Sequence, residues 1–234
     1  FYKKMLKINK LKYKIEKASF EFDFELKSSQ LVGVIGKSGS GKSTLFNLLS
    51  GFLKPKEGSI YFSNINITNL KPFDRDISIL FQDHNNFNHL TIFENIILGI
   101  DSDMKRTSNN LKLVRSIMKK VSLNIDLDKK VSNLSGGEQQ RVSIARSLLR
   151  KKSILLLDEP FNSLDPGLRK ILYEDIKTMS FSHKLITLIS SHLIEELRNV
   201  TDKFLFIHQG KVVENKILSF RQLKSLKAFR EYSQ

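Results

Sequence analysis

A loop of small and basic residues at positions 36–43 has the composition and spacing of a phosphate-binding loop. It reads GKSGSGKS and fits the pattern G-x-x-x-x-G-K-[ST], with an apolar run before it and leucines at helical spacing after it. Glycines let the backbone curl until successive N–H groups face phosphate oxygens, and the start of a helix adds the positive end of its dipole. A flexible Gly/Ser turn is the alternative interpretation, but a predicted strand and helix on either side favour a nucleotide site. We predict that the nucleotide is held by Gly36, Lys37, Ser38, Gly39, Ser40, Gly41, Lys42, Ser43 and Thr44.

Residues of this loop and of a later apolar run that ends in acidic residues are candidates to bind phosphate and magnesium and to activate water. Lys42 would reach the β- and γ-phosphates, and the Ser43 hydroxyl would ligate Mg²⁺. The run SILLLDEP (residues 153–160) predicts a buried strand that ends in Asp158. That carboxylate would lie at the carboxyl edge of the sheet, where open α/β sheets bind ligands, and would join the magnesium shell. Glu159 would polarise the attacking water; as a lone signal, an acid after a strand is equally well explained as a helix cap.

A third motif narrows the class of nucleotide-binding protein. The segment LSGGEQQR (residues 134–141) places Ser-Gly-Gly at the start of a predicted helix, between the phosphate loop and the acidic strand. In that order the three motifs resemble those of the ATP-binding-cassette (ABC) ATPases. The other family elements stand in the expected order: Gln82 in ILFQD before the signature, and Asp165 in NSLDP and His192 in SSH after it. Tyr13 stands where members carry an aromatic ring that stacks on adenine, although it also fits as a core aromatic of the first strand.

The resemblance implies an ATPase that works as a pair of subunits. Two copies would face each other head to tail with two Mg·ATP between them. Each ATP would touch the phosphate loop and the acidic pair of one copy. The signature of the other copy would contribute Ser135, Gly136, Gly137 and Glu138. Gln82 would contact magnesium and water, His192 would hold the γ-phosphate, Asp165 would couple the two sites, and Glu159 would act as general base.

The hydrophobic pattern predicts an α/β fold. SFEFDFELK alternates apolar and acidic residues, as expected for a strand with one buried face, whereas LVGVIG is apolar throughout, as expected for a strand covered on both sides. Strands then alternate with helices, which indicates a mostly parallel sheet, and KFLFIHQGKVVEN near the end of the chain predicts a hairpin that turns at Gln209 and Gly210. With the family resemblance, we expect a P-loop NTPase core, an amino-terminal antiparallel β subdomain and an inserted helical lobe at about residues 84–133, within a single domain spanning residues 5–234.

Composition excludes several classes of protein. The chain has 234 residues, 40% of them hydrophobic, and no cysteine, which rules out disulfides and thiolate metal sites. No apolar stretch is long enough to cross a bilayer and no signal peptide is evident, so we expect an intracellular protein. The net charge of +15 fits three explanations: compositional drift, attraction to an anionic membrane surface, or nucleic-acid binding. The lysines are scattered and no recognition helix accompanies them, so no nucleic-acid partner is expected.

The resemblance also suggests partners and a cargo. A single cassette without a membrane span is similar to the detached ATPase of an importer, bound at the cytoplasmic face of the bacterial inner membrane. Its partners would be an integral membrane permease and, indirectly, a periplasmic solute-binding protein. Segments such as LLSGFLKPKEGSIYF and ILLLDEPFNSLDPGLRK resemble the ATP-binding subunits of bacterial thiamine importers, and FQDHNNFNHLTIFENI is the most discriminating of them. We expect Phe87, Leu90, Ile92 and Phe93 to lie near the permease or to pack the helical lobe. Importers of iron, polyamines or sulfate share every catalytic motif and remain alternatives, as does, less favourably, a nucleic-acid-associated cassette.

Overall fold

The amino-terminal part of the chain forms an antiparallel sheet. The computed structural model describes residues 4–16, 18–81, 86–161, 164–191 and 194–232. The antiparallel strands are β1 (Met5–Ile15), β2 (Ala18–Lys27), β4 (Glu57–Phe62) and β5 (Ile65–Asn66). Along β2 the apolar residues Phe20, Phe22, Phe24 and Leu26 are all buried, so the predicted alternation is confirmed.

The rest of the sheet is parallel and carries the motifs. Its strands are β3 (Gln30–Ile35), β6 (Ile77–Leu80), β7 (Ile154–Asp158), β8 (Ile186–Ser190) and β9 (Phe204–His208), in the order β9-β3-β8-β7-β6. A two-residue strand, β10 (Lys211–Val212), pairs antiparallel with β9 and parallel with β2. It joins the two parts into one ten-stranded sheet. The parallel core and the amino-terminal antiparallel strands confirm the predicted α/β fold.

Helices cover both faces of this sheet. They are α1 (Lys42–Ser50), α2 (Ile92–Ile97), α3 (Ser108–Lys120), α4 (Gly136–Leu149), α5 (Pro166–Ser182), α6 (Ile194–Arg198), α7 (Phe220–Ser225) and α8 (Lys227–Tyr232), with 3₁₀ turns at Pro72–Asp74, Val131–Asn133 and Val213–Asn215. One core cluster packs α1 against the antiparallel strands and one face of the parallel strands. The other packs the remaining helices against the opposite face. Within the described ranges, no helix is both long and apolar enough to cross a bilayer.

Helices α2, α3 and α4 lie between β6 and β7 in the chain. Helices α2 and α3 both pack against α4, and Thr91 begins α2 with a capping box that pairs its hydroxyl and backbone N–H with Glu94. The side chain of Asn95, fully buried in α2, binds the backbone of the preceding loop at Phe87 and Thr91. The boundaries of a separate lobe at residues 84–133 stay a prediction.

A buried arginine anchors the end of α1 that lies away from the phosphate loop. Arg75 is 1% exposed and donates only to backbone carbonyls: Nη1 to Leu48 and Leu49 at 2.9 and 2.6 Å, Nη2 to Thr68 at 2.8 Å and Nε to Leu70 at 3.0 Å. The carbonyls of the last helical turn have no partner within a helix, so the guanidinium supplies the missing donors. Burial lowers the pKa of Arg75.

Replacing Arg75 should therefore destabilise the whole fold. We expect Arg75→Leu to reduce the free energy of unfolding by about 2–4 kcal/mol, because several buried carbonyls lose their donor. Urea unfolding followed by circular dichroism measures this change. The matched control is Arg221→Leu, at an exposed position of α7, which should change stability by no more than about 0.5 kcal/mol. Equal midpoints for the two variants would contradict the anchoring role.

Candidate functional site

The phosphate loop connects β3 to α1 through close backbone contacts. Gly41 has φ 113°, and a Cβ at this position would lie 2.7 Å from Cδ1 of Phe20. At Gly36 a Cβ would lie 2.3 Å from the carbonyl oxygen of Ile207. Any larger side chain would push the loop off the strands beneath it. The two glycines that the motif specifies therefore have steric reasons to be glycine in this chain.

Lys42 directs its ammonium group back into the loop. Its Nζ donates to the carbonyl of Gly36 at 2.7 Å and to that of Lys37 at 3.2 Å, and the residue is buried. Burial lowers the pKa of the Lys42 ammonium, while the carboxylates of Glu159 and Asp158 act to raise it. The site thus brings a cation and two anions together at the carboxyl ends of β3 and β7.

Polar side chains of the loop are available to a ligand. The Ser40 hydroxyl is buried and forms no hydrogen bond with a described residue. Lys37, Ser38, Gly39 and Ser43 are exposed, and Thr44 is half-buried. A buried hydroxyl that lacks a hydrogen-bond partner destabilises the folded state. A ligand with oxygen acceptors would supply that partner, so the loop is suited to an oxygen-rich ligand.

The acidic pair lies at the end of β7 and is held from the neighbouring strand. Asp158 pairs with Ser190 in the parallel ladder of β7 and β8. The Ser190 hydroxyl donates to Oδ1 of Asp158 at 2.6 Å and accepts from the backbone N–H of Glu159 at 2.8 Å. Glu159 has φ 48°, a left-handed conformation that is uncommon for a residue with a side chain. One hydroxyl therefore fixes both the carboxylate and the turn that follows it.

The signature motif forms an exposed helix start. Ser135 is the N-cap of α4 and makes a capping box with Glu138: its backbone N–H and hydroxyl donate to Oε2 at 2.7 and 2.9 Å. These bonds lower the pKa of Glu138. Among the described residues, nothing lies within 4 Å of a Cβ built on Gly136. The surface at Ser135 and Gly136 is therefore open to a partner.

Tyr13 and Asp165, two further residues of the predicted site, each contact neighbouring residues of their own subunit. Tyr13 pairs with Phe20 across β1 and β2, with ring centroids 6.5 Å apart, and Phe20 in turn lies against Gly41. Asp165 caps α5, accepting from the N–H of Leu168 at 2.9 Å, and its side chain is exposed. Gln82 and His192 lie outside the described residues.

Sequence reasoning misses residues that support the acidic pair. Ser190 stands out only as part of the Ser-Ser-His segment, because the register of β7 against β8 cannot be inferred from either strand alone. Gln140 stands out only as part of the signature, yet its Nε2 donates to the carbonyl of Pro160, immediately after Glu159. Helix α4 thus contacts the turn after β7 directly.

Removing the Ser190 hydroxyl should lower the stability of the folded chain. We expect Ser190→Ala to lower the free energy of unfolding by about 1–3 kcal/mol, because the buried hydroxyl gives up its bonds to the Asp158 carboxylate and the Glu159 N–H. Ser182→Ala is at an exposed position, where the hydroxyl bonds to Met179 of α5 and to the adjacent His183, and should stay within about 0.5 kcal/mol of the unsubstituted chain. Chemical denaturation measures the free energy of unfolding of both variants. Equal values for the two would contradict the assigned hydrogen bonds.

Comparisons with known proteins agree with this geometry. A protein-family model described as ABC transporter matches residues 20–162. The chain is 41% identical over 197 residues to the thiamine import ATP-binding protein ThiQ of Photobacterium profundum, a match that covers 84% of this chain and 82% of that protein. It is 38% identical over 213 residues to the protein of the same name from Histophilus somni, covering 91% and 99% of the two chains.

Solved structures show the same architecture. A dimeric ATP-binding cassette in a post-hydrolysis state bound to ADP and Pi is similar with a TM-score of 0.76 and 28% identity, covering 89% of this chain and 97% of that one. A bacterial Atm1-family ABC exporter with ATP bound is similar with a TM-score of 0.84 and 25% identity, covering 99% of this chain and 42% of that one. The loop, the acidic strand end and the signature helix, together with these matches, show that this chain belongs to the ABC transporter family as one of its ATP-binding cassettes.

Proposed function

We propose that this chain is the ATP-hydrolysing subunit of a bacterial importer that takes up thiamine or thiamine pyrophosphate. The observation that carries the ATPase activity is the buried Lys42 ammonium in the phosphate loop, close to the carboxylates of Asp158 and Glu159. The thiamine cargo is supported by the relatives named above, whose matches cover most of the chain. Importers of iron, polyamines or sulfate are the alternative, because the catalytic residues do not distinguish cargoes.

The loop residues fit a triphosphate. Lys42 would exchange its two carbonyl acceptors for oxygens of the β- and γ-phosphates, and the Ser40 hydroxyl would gain the partner that it lacks among the described residues. The N–H groups at the start of α1 would face the same oxygens. Tyr13, next to Phe20 at the edge of the loop, would stack on adenine.

The residues at the end of β7 and the start of α1 also fit a magnesium ion. The exposed hydroxyl of Ser43 and the carboxylate of Asp158 are hard oxygen ligands of the kind that Mg²⁺ prefers, with Gln82 as a third candidate. Bound there, Mg²⁺ would neutralise charge on the phosphates. Ser190 would keep Asp158 oriented for this task through its 2.6 Å hydrogen bond.

Glu159 is the proposed general base. It would take a proton from a water molecule as the water oxygen forms a bond to the γ-phosphorus and the bond to the oxygen that bridges the β- and γ-phosphates breaks, which releases ADP and phosphate. The left-handed turn at Glu159, fixed by Ser190, sets where the carboxylate lies. His192 would hold the γ-phosphate and orient the water.

A second copy of the chain would complete each site. The helix start, with Ser135 and Gly136 exposed, Gly137 half-buried and Glu138 bonded back to Ser135, would present N–H groups to the phosphates of a facing subunit. Asp165, exposed at the start of α5, would face the same partner and couple the two sites. The dimeric cassette bound to ADP and Pi supports this arrangement.

Exposed aromatic residues near the end of β6 are candidates for permease contact. Phe52 packs edge-on against Phe81 with ring centroids 5.3 Å apart, and Phe87 is exposed beside Arg146. Of the residues expected at this surface, Ile92 and Phe93 are instead buried in the helical core, so only Phe87 and the half-buried Leu90 can reach a partner. Through this contact the chain would lie at the cytoplasmic face of the inner membrane, with a periplasmic solute-binding protein acting from the other side.

Two substitutions separate nucleotide binding from hydrolysis. Glu159→Gln should keep Mg·ATP affinity, reduce hydrolysis by at least about 100-fold and accumulate an ATP-bound dimer, because only the base is lost. Lys42→Ala should weaken Mg·ATP binding itself, because a charge-assisted contact to phosphate disappears. Calorimetry, phosphate release and light scattering report these three quantities. Wild-type turnover by Glu159→Gln would exclude this base, and unchanged affinity in Lys42→Ala would remove Lys42 from the phosphate site.

The importer assignment has its own test. We expect Phe87→Asp to lower co-purification with the membrane subunits about 10-fold or more, because an exposed aromatic at an interface is often a main anchor. Phe181→Asp is the matched control, since Phe181 is 52% exposed on α5 and Phe87 is 47% exposed. ATPase activity of the complex should rise with thiamine-loaded binding protein. Stimulation by DNA that falls steeply with salt would favour the nucleic-acid alternative instead.

A further inference from the structure

One tyrosine contacts both chain segments that leave the catalytic strand ends. Tyr173 is buried in α5, and its ring lies edge-on to Phe161 with centroids 4.6 Å apart. Its hydroxyl shares a hydrogen bond with the side chain of Ser191. Phe161 comes two residues after Glu159, and Ser191 directly follows Ser190. Tyr173 therefore bridges the ends of β7 and β8.

The hydroxyl of Tyr173 keeps its proton at any working pH. Burial raises the pKa of Tyr173 to about 12, which the hydrogen bond with Ser191 only partly offsets. The contact with Ser191 is thus between two neutral hydroxyls and does not switch with pH. Its effect on the site must be positional.

An arginine one helical turn earlier makes a parallel contact. Nη1 of Arg169 lies 3.1 Å from Oε1 of Glu196 in α6, with both side chains largely shielded from water. Nε of Arg169 and Oε2 of Glu196 are buried and lack hydrogen-bond partners among the described residues. The pair thus makes one contact where an arginine and a carboxylate can make two, so the ion pair is incomplete as a two-bond fork.

Through these two side chains, α5 contacts both the residue that follows β8 and helix α6. Tyr173 holds Ser191 on one side, and Arg169 holds Glu196 on the other. Ser190, next to Ser191, binds both Asp158 and the backbone of Glu159. Tyr173 and Arg169 both belong to α5, and this helix begins directly after its exposed N-cap, Asp165.

We propose that Tyr173 and Arg169 are positioning residues for hydrolysis, which hold the ends of β7 and β8 in the arrangement that Asp158 and Glu159 require. Helix α5 is the rigid link: a displacement of Asp165 by a facing subunit would move both side chains together. This inference rests on the proposed function, because it assigns the roles of Asp158 and Glu159 from that reaction.

A core-packing role and a positioning role for Tyr173 predict different effects of substitution. If Tyr173 only filled the core, Tyr173→Phe would preserve activity, because the ring stays and the hydroxyl is lost. If it positions the strand ends, Tyr173→Phe should lower kcat about five- to tenfold, the effect of one lost hydrogen bond felt in the transition state, with KM within about twofold.

The arginine gives an independent measurement. Arg169→Met should lower kcat to a similar degree, and Arg169→Lys should recover part of the loss, because the charge is kept while the planar guanidinium is not. The matched control is Lys177→Met, which breaks an exposed ion pair with Glu174 on the same helix and should leave kcat unchanged. Thermal unfolding of every variant checks that the fold persists.

The experiment is steady-state ATP hydrolysis by the full-length chain, paired with amide hydrogen exchange. Exchange in residues 158–161 and 189–191 should be faster in Tyr173→Phe and unchanged in Lys177→Met. If the unsubstituted chain hydrolyses ATP and both α5 variants turn over at its rate, the positioning role is wrong. If the unsubstituted chain neither binds nor hydrolyses Mg·ATP, the proposed function fails, and unchanged exchange in Tyr173→Phe overturns the positioning role separately.

Discussion

The arrangement of the site depends on one buried cation. A lysine ammonium taken out of water is costly unless anions or polar groups surround it, and Lys42 has two carbonyl oxygens in the loop and two carboxylates at the end of β7. Its position is set by α1, because Lys42 is the first residue of that helix. The opposite end of α1 is held by Arg75, so two basic side chains fix the helix at its two ends. A protein with a net charge of +15 thus uses two of its cations inside the fold rather than on the surface.

Much of this can be predicted from local patterns. The loop, the strand that ends in Asp158 and the capped signature helix all depend on residues that are adjacent in sequence, so composition and spacing are sufficient. The hairpin of β9 and β10 is confirmed as well, with its turn at Gln209 and Gly210, where φ is positive at both residues. The family match follows from the same motifs, because residues 20–162 include all three.

The remaining features depend on register and on which face of a helix is buried. Ser190 becomes part of the site because β8 lies beside β7 in one specific alignment, and no pattern within either strand states that alignment. Arg75 gives no sign in sequence that it is buried, since an arginine between polar residues is usually on the surface. Phe87 and Phe93 are of the same type and close in sequence, yet one is exposed and the other lies in the core, because the helical start at Thr91 turns Phe93 inward.

One strand of only two residues, β10, has a consequence for how this chain folds. Strand β10 contributes only Lys211 and Val212, yet it is the neighbour that connects β2 to β9, and β9 is in turn a neighbour of the central strand β3. Strands formed early in synthesis therefore wait for partners that leave the ribosome late, with sequence separations that slow folding. Until residue 212 has been synthesised, β2 therefore lacks the neighbour that joins it to the rest of the sheet.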